Sequence, residues 1–238
     1  MIEELLPESA VAVETYGDDG AEGTTLYPEE QALLTRAVEK RRREFTAVRG
    51  CARRAMEKLG VAPAPILPGE RGAPQWPAGL IGSMTHCEGY SAAALARATD
   101  LASLGIDAEP HLALPEGVFD AVALPTEVDR LAGLGARMPA VHWDRLLFSA
   151  KESVYKAWFP LTGKWLDFSE ADIDLFLDPG SGGGPALSGR LRAELLVPGP
   201  LVGGDRLGFF DGRWTVQRGL AATVVTVPHG SGGSGGSR

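Results

Sequence analysis

The stretch Phe148-Ser-Ala-Lys-Glu-Ser-Val-Tyr-Lys-Ala-Trp158 has the composition of a largely buried helix that carries a few charges. Glu152 and Lys156 stand one helical turn apart, and apolar or aromatic residues cover most of the remaining circumference. The ordinary interpretation of such a pair is an exposed i,i+4 salt bridge. Because this helix offers little solvated surface, we interpret Glu152 and Lys156 instead as parts of a site.

Lys151 is the immediate neighbour of Glu152 on the same predicted helix. The two residues are about 100° apart around the helix axis. Lys151 and Lys156 are therefore not expected to pair with the same carboxylate. One of the two lysines is left to bind an anion.

A second acidic segment, Gly105-Ile106-Asp107-Ala108-Glu109, lies upstream at the end of an apparent strand. Asp107 and Glu109 are two positions apart, so both side chains point to the same side of that strand. Two carboxylates this close repel each other unless a cation lies between them. An acid pair that simply faces water is the alternative. We interpret the pair as ligands of a hard cation, and Mg²⁺ fits because it needs few protein carboxylates.

Hydrophobic periodicity predicts both helices and strands along the chain. The predicted helices are 28–59, as one helix or two, 118–134 and 140–159. The predicted strands are 80–86, 90–97, 101–107, 171–177, 189–196, 207–211 and 220–227. Gly60 is expected to follow the end of the first helical segment, and the proline-rich segment 63–77 is expected to be an extended loop. The first three strands are expected to form one small antiparallel sheet.

The order of these elements predicts an α+β fold built as two pseudo-twofold duplicated halves, each a helix packed on a small antiparallel sheet. The first half is assigned to residues 1–110 and the second to 111–229, with a flexible connection at 178–185 inside the second half. Residues 230–238 read Gly-Ser-Gly-Gly-Ser-Gly-Gly-Ser-Arg and are interpreted as an expression linker.

Composition narrows the functional classes. The chain has 238 residues, 44% of them hydrophobic, and a formal net charge of −8, which argues against general nucleic-acid binding. We expect no membrane span, because no apolar run approaches the roughly 18 residues required, and no signal peptide, because the first residues lack positive charge. The 2 cysteines favour a reducing compartment, so a cytoplasmic location is expected.

Positive charge is nevertheless concentrated, with 7 cations among residues 40–54. On a helix Arg42, Arg49 and Arg53 fall near one face, which could hold an anion. The alternative is an arginine-rich helix that is simply solvated.

His86 ends the strand segment Gly82-Ser83-Met84-Thr85-His86 and enters a loop. A lone histidine is more often structural than functional, and the other histidines show no zinc-ligand spacing. The sequence contains no Gly-x-Ser-x-Gly elbow, phosphate-binding Walker loop or dinucleotide fingerprint. The visible chemistry is therefore a metal, phosphate-binding cations and a base.

Four ordered motifs together carry a resemblance. They are Arg41-x-x-Glu44-Phe45-x-x-x-Arg49-x-x-Ala52-Arg53, Gly82-Ser-Met-Thr-His86, Gly105-Ile-Asp-Ala-Glu109 and Phe148-Ser-Ala-Lys-Glu-Ser-Val-Tyr-Lys-Ala-Trp158. In this order and spacing the chain resembles the Sfp-type phosphopantetheinyl transferases, in particular the enterobactin-synthase-associated branch and its mycobacterial-type relatives. The resemblance extends from about Tyr27 to Val227.

The resemblance implies an active site in the cleft between two α+β halves. Members of the family transfer the 4′-phosphopantetheine arm of coenzyme A to a serine of an apo carrier protein and release adenosine 3′,5′-bisphosphate. By resemblance, Asp107, Glu109 and Glu152 bind Mg²⁺, with Mn²⁺ as a substitute, and Glu152 and Lys156 are catalytic.

The resemblance also implies which residues bind coenzyme A. Arg41, Arg49 and His86 would bind the 3′-phosphate region, where an adjacent phosphate would favour a cationic His86. Lys151 and Lys156 would line the phosphates and the arm. Arg71 replaces a lysine that many relatives have in the loop 68–74. Ser83 and Thr85 complete the expected binding set.

The implied partners are apo carrier proteins or carrier domains of fatty-acid, polyketide and peptide synthases, served by a monomer that binds neither nucleic acid nor membrane. Two alternatives remain at this point. A coenzyme A-binding protein without transferase activity would keep the arginines and His86 but would not need Glu152. An interaction module with ordinary ion pairs would bind no nucleotide in a metal-dependent way.

Overall fold

A computed structural model of the protein describes residues 1–180 and 186–229. The helices in these two ranges are α1 (Pro28–Ala32), α2 (Glu39–Lys58), α3 (Val118–Val122), α4 (Pro125–Arg137) and α5 (Trp143–Thr162). The strands are β1 (Ala10–Tyr16), β2 (Leu80–Cys87), β3 (Tyr90–Arg97), β4 (Leu101–Pro110), β5 (Ala171–Leu177), β6 (Leu187–Leu195), β7 (Leu201–Val202), β8 (Asp205–Arg206), β9 (Phe209–Gln217) and β10 (Leu220–Pro228). This mixture of helices and antiparallel sheets confirms the predicted α+β class.

Two helices of 20 residues, α2 and α5, are the longest in the described ranges. The apolar residues of α2 recur every three or four positions and are buried against β3 and β1. Each helix is followed by a glycine with a positive φ, Gly60 at 69° and Gly163 at 64°, a conformation that favours glycine at helix ends. The predicted helical segment 28–59 consists of two helices, α1 and α2. The predicted position of Gly60 after the end of this segment is confirmed.

The strands form two main antiparallel sheets. One has the order β1-β3-β2 and the other has the order β4-β10-β9-β6-β5. β4 pairs along its length with β10 and not with β3, so the predicted three-strand meander over residues 80–107 is wrong. β1, which was not predicted, completes the first sheet by pairing with β3.

Side chains join the free edges of β2 and β4. The Ser83 hydroxyl accepts a hydrogen bond from the Ile106 backbone N–H at 3.0 Å, and the Thr85 hydroxyl accepts one from the Ala108 N–H at 3.2 Å. These hydroxyls satisfy backbone donors that a neighbouring strand would otherwise have bonded. The two sheets therefore meet where β4 carries its acidic residues.

Helix α5 packs closely across β4 at Gly105. A Cβ atom added there would lie 2.0 Å from the Ser153 carbonyl oxygen, so no larger residue fits without a shift of the backbone. This close approach brings the polar residues of α5 over Asp107.

The predicted division at residue 110 and the pseudo-twofold duplication stay predictions. Strand β4 (Leu101–Pro110), which was assigned to the first half, pairs with β10 and so belongs to the five-stranded sheet, whose other strands lie in the predicted second half. The predicted connection at 178–185 falls mostly outside the described residues, and the predicted linker 230–238 falls wholly outside them. Within the described ranges, no helix is both long enough and apolar enough to cross a bilayer.

Candidate active site

A cavity of about 530 Å³ lies among α2, the loop 71–76, β2, the start of β4 and α5. Both apolar and charged side chains line it. The lining residues that are arginine, lysine, glutamate or histidine are Arg41, Arg49, Arg71, His86, Glu152 and Lys156. All six were predicted from the sequence as site residues, and Ser83 also lines the cavity. Glu152 and Lys156 lie on α5 toward β4, and Arg41 and Arg49 lie on α2. Arg71 lies on the loop side.

Asp107 is the buried acid of this site, with 4% of its surface exposed. Its Oδ1 atom accepts hydrogen bonds from Lys156 Nζ at 2.7 Å and from the Thr85 hydroxyl at 3.2 Å. Its Oδ2 atom is buried without any hydrogen-bond partner in the described residues. Because an unsatisfied buried carboxylate oxygen is costly, Oδ2 is a suitable contact for a further cation.

Lys156 connects α5 to β4. Its Nζ atom donates to the Ile106 carbonyl at 3.1 Å as well as to Asp107. Lys156 therefore forms its ion pair with Asp107 on β4 and not with Glu152, one turn away on the same helix.

Glu152 is half-buried and faces the cavity. In the described parts of the chain it makes no hydrogen bond or ion pair. Burial raises the pKa of Glu152, Lys156 opposes that rise, and Asp107 adds to it. A carboxylate with a raised pKa and no partner is suited to accepting a proton.

Glu109 is held by a residue that the sequence analysis missed. Arg145 Nη1 donates to Glu109 Oε2 at 3.0 Å, while Arg145 Nε and Nη2 donate to the carbonyls of Leu112 and Ala113, each at 3.0 Å. Burial raises the pKa of Glu109, and Asp107 adds to the rise while Arg145 opposes it. Arg145 is seven residues before Glu152, two turns along the same face of α5, and this spacing could have identified it.

The three carboxylates predicted as metal ligands are not gathered into one closed set. Among residues 1–180 and 186–229, no three His, Cys, Asp or Glu side chains form a group that could hold a metal ion. Asp107 and Glu109 each have a cationic partner, so the repulsion expected between them is relieved by Lys156 and Arg145. A cation held partly by water and phosphate oxygens, as Mg²⁺ usually is, requires no closed protein cage.

Arg41 and His86 meet at the other side of the cavity. Arg41 Nη1 lies 3.1 Å from His86 Nε2, and Glu44 lies 3.5 Å from the same nitrogen. Burial lowers the pKa of His86, and Arg41 adds to this while Glu44 opposes it. His86 is therefore suited to accept a hydrogen bond from Arg41 in the neutral form, and its expected cationic form depends on a bound phosphate.

Arg49 is buried but reaches the cavity. Its Nε atom donates to the Ile66 carbonyl at 3.2 Å, and its guanidinium carbon lies 3.1 Å from the centre of the Phe45 ring. Burial lowers the pKa of Arg49 to about 10, with Glu30 opposing that change. Arg49 remains cationic at neutral pH. Arg42, which was placed on the same face, instead donates to the carbonyls of Ala37 and Thr35.

Arg71 lines the cavity from the loop side, with a left-handed φ of 52°. Its guanidinium lies over the exposed ring of Trp165, 5.7 Å from the ring centre. Thr85 and Ser83 were predicted to bind coenzyme A, and this stays a prediction. Ser83 lines the cavity and Thr85 does not, and the hydroxyl of each accepts a hydrogen bond from β4. Their structural part is to hold β4 and Asp107 in place.

Lys151 does not line the cavity, so the structure does not place it with the other predicted phosphate-binding residues. Its Nζ atom is 2.9 Å from Glu127 and donates to the carbonyls of Phe168 at 2.6 Å and Ala171 at 3.1 Å. Burial lowers the pKa of Lys151, and Glu127 opposes that change. Lys151 thus ties α5 to α4 and to the start of β5.

We expect Lys151→Met to destabilise the fold without weakening ligand binding. The change leaves Glu127 buried without its cation, which costs roughly 3–5 kcal/mol. Urea unfolding measures the loss, and titration of the folded variant with coenzyme A measures binding. If the variant kept the parental stability but lost affinity for coenzyme A, Lys151 would instead be a ligand-binding residue.

Comparisons with known proteins identify the family of this chain. Residues 29–96 match the family model described as the 4′-phosphopantetheinyl transferase N-terminal domain, and residues 103–187 match the 4′-phosphopantetheinyl transferase superfamily model. The chain is 56% identical to the 4′-phosphopantetheinyl transferase Svp of Streptomyces mobaraensis. The match extends over 228 residues, which are 95% of this chain and 89% of that protein.

Two further relatives carry the same description. The chain is 47% identical to the 4′-phosphopantetheinyl transferase PptT of Mycobacterium tuberculosis, over 92% of this chain and 93% of that protein. It is also 47% identical to the 4′-phosphopantetheinyl transferase Npt of Nocardia iowensis, over 94% and 99% of the two chains. The resemblance carried by the four motifs is confirmed, and the chain belongs to the 4′-phosphopantetheinyl transferase superfamily.

Proposed function

We propose that this phosphopantetheinyl transferase binds coenzyme A in the cavity among α2, β2 and α5 and transfers the 4′-phosphopantetheine arm to a serine of an apo carrier protein. One observation carries the proposal. A single concave site combines an acid-and-lysine side, at Glu152 and Lys156 with the buried Asp107 behind Lys156, with an arginine side, at Arg41 and Arg49. Such a site suits a ligand that has a reacting pyrophosphate at one point and a separate phosphate at another.

The arginine side would bind the 3′-phosphate. Arg41 and Arg49 both line the cavity, and a guanidinium can bind phosphate oxygens in a bidentate manner. His86 contacts Arg41 and would gain a proton as the phosphate approaches. Arg71, on the loop side of the cavity, is free to approach the pyrophosphate or the arm.

The acid side fits a divalent cation, Mg²⁺ or Mn²⁺ in its place, chiefly because the buried Oδ2 atom of Asp107 has no partner among the described residues. Asp107 would hold the cation with Glu152 and Glu109, the last after release or rearrangement of its bond to Arg145. When bound, the cation would offset the charge that develops on the pyrophosphate oxygens.

The chain's own residues supply the remaining chemistry. Glu152 accepts the proton of the carrier serine, whose oxygen forms a bond to the phosphorus that carries the pantetheine arm. The bond from that phosphorus to the pyrophosphate bridging oxygen breaks, and adenosine 3′,5′-bisphosphate leaves. Lys156, fixed by Asp107 and the Ile106 carbonyl, stabilises the negative charge of the transferred group.

Incubation of the protein with coenzyme A, Mg²⁺ and an apo carrier protein tests the proposal directly. We expect the carrier to gain the mass of the arm, and the gain to disappear when the metal is chelated. A protein that binds coenzyme A but never modifies a carrier would support the alternative of a binding protein. The carriers served, the monomeric state and the cytoplasmic location remain predictions.

Arg49→Ala should weaken coenzyme A binding much more than binding of dephospho-coenzyme A, which lacks the 3′-phosphate. A charge-assisted hydrogen bond contributes about 1.5–3 kcal/mol, which corresponds to roughly 10- to 150-fold in affinity. Calorimetric titration with both ligands measures the difference. Arg41→Ala should act in the same direction.

Arg43→Ala is the matched control for Arg49→Ala. The Arg43→Ala change removes the same charge from α2, but Arg43 is exposed and forms its ion pair with the exposed Glu39. Equal losses for both ligands in Arg49→Ala would place Arg49 in packing or on the pyrophosphate instead.

A further inference from the structure

Glu30 is a fully buried carboxylate beneath the arginine side of the cavity. Its Oε2 atom accepts a hydrogen bond from the Tyr27 backbone N–H at 3.0 Å, and its Oε1 atom accepts one from the Ile66 N–H at 2.9 Å. It also forms ion pairs with Arg49, at 3.7 Å, and with Arg53. Every contact of this carboxylate thus fixes either the entry to α1, the loop at Ile66 or an arginine of α2.

Glu30 holds Arg49 in two ways. It attracts the guanidinium directly, and it accepts a hydrogen bond from the N–H of Ile66, the residue whose carbonyl accepts the Arg49 Nε hydrogen bond at 3.2 Å. Phe45 covers a face of the same guanidinium. Arg53 is turned away from the cavity, because it donates to the Thr25 carbonyl and lies over the Tyr27 ring.

The charges of this cluster do not balance. One carboxylate faces two guanidinium groups, so a net positive charge remains, and Arg49 is the member that lines the cavity. The Nη1 and Nη2 atoms of Arg49 have no hydrogen-bond partner among the residues that the structure describes. The cluster therefore presents unused donors and excess positive charge toward the cavity.

Glu127 provides an internal comparison. It is the third residue of α4, as Glu30 is the third residue of α1, and each follows a proline by two positions. Glu127 accepts hydrogen bonds from the Leu124 and Ile173 N–H groups, both at 2.7 Å. Its cation, Lys151, spends all three of its donors on Glu127 and two backbone carbonyls. The Glu127 cluster is closed and neutral, whereas the Glu30 cluster is open and positive.

We propose that Glu30 is a positioning residue that orients Arg49 for the 3′-phosphate of coenzyme A. The inference rests on the proposed function, because it assumes that Arg49 meets that phosphate. Glu30 contacts no ligand itself. Glu30 sets the direction in which the Nη1 and Nη2 atoms of Arg49 point, through the ion pair and through the backbone of Ile66.

Glu30→Gln tests the inference because the amide keeps the size of the side chain but cannot accept all the donors that converge on the carboxylate. We expect the ratio of affinities for coenzyme A and dephospho-coenzyme A to fall roughly tenfold, mainly through coenzyme A. Glu127→Gln is the matched control, since it disturbs an equivalent buried cluster away from the cavity. That variant should keep the parental ratio.

Other outcomes overturn the inference. A ratio in Glu30→Gln that is unchanged, or raised because a negative charge has been removed, would show that Glu30 does not position Arg49. A parent protein with no preference between the two ligands would overturn the phosphate assignment of Arg49 itself, together with this inference. If Glu30→Gln fails to fold, Glu30→Asp keeps the charge but shortens the reach, and its ratio must fall as well.

Discussion

Replacing Asp107 by Ala is expected to abolish transfer and to remove metal-dependent binding of coenzyme A. Asp107 is the acid that fixes Lys156 and that also has a buried oxygen without a partner. Its loss removes the expected cation contact and leaves Lys156 bonded to β4 only through the Ile106 carbonyl. Both effects fall on the transferred phosphoryl group, whose charge the cation and Lys156 would otherwise stabilise.

Calorimetric titration of coenzyme A with and without Mg²⁺ measures the binding part of this prediction, and a carrier-modification assay measures transfer. Asp172→Ala is a matched control. Asp172 on β5 is likewise bonded to a threonine hydroxyl, that of Thr126, and to a cation, Arg130. Asp107 contacts Lys156, which lines the cavity, whereas neither partner of Asp172 lines it. If the Asp107 variant kept parental metal-dependent binding, the assignment of Asp107 would fail.

Glu109→Ala should lose metal-dependent binding in the same assay. Glu109 is held by Arg145, which also fixes the carbonyls of Leu112 and Ala113. Its removal should leave Arg145 bound to the carbonyls of Leu112 and Ala113. If Glu109→Ala kept parental metal-dependent binding, Glu109 would be the partner of Arg145 alone and not a ligand of the cation.

The parts of the fold that could be predicted from sequence are those decided by local pattern. The α5 and β5 predictions agree with the structure because continuous apolar periodicity or alternation specifies them. β4 was predicted as a strand, but its partner was not, since pairing with β10 joins residues more than 100 positions apart. β1 also alternates in burial and was missed.

Site residues divide in the same way. Glu152 and Lys156 could be found because their surroundings on one helix are apolar. Lys151 could not be placed, because helical spacing gives the angle between two side chains but not which neighbouring element each of them meets. Its partner Glu127 lies on α4, and the partner of Arg49, Glu30, lies on α1. These buried ion pairs depend on tertiary packing.

Glu152→Gln should retain appreciable coenzyme A binding and lose most of the transfer rate. The amide keeps the shape of the side chain and one oxygen that can face a metal, but it cannot accept a proton at neutral pH. Glu152 lines the cavity without a partner in the described residues, and its raised pKa favours proton transfer. Removal of a general base typically lowers a rate about 10²–10⁴-fold, or roughly 3–5 kcal/mol in the barrier.

Single-turnover transfer at saturating coenzyme A and apo carrier isolates the chemical step, and ligand titration of the same variant measures binding. If the rate stayed within about threefold of the parent, Glu152 would be at most a metal ligand, and water or the phosphate itself would take the serine proton. If rate and binding fell together, the main contribution of Glu152 would be to hold the cation. A large loss of rate with binding retained is the result that supports proton transfer by Glu152, because a general base is needed for the chemical step but not for affinity.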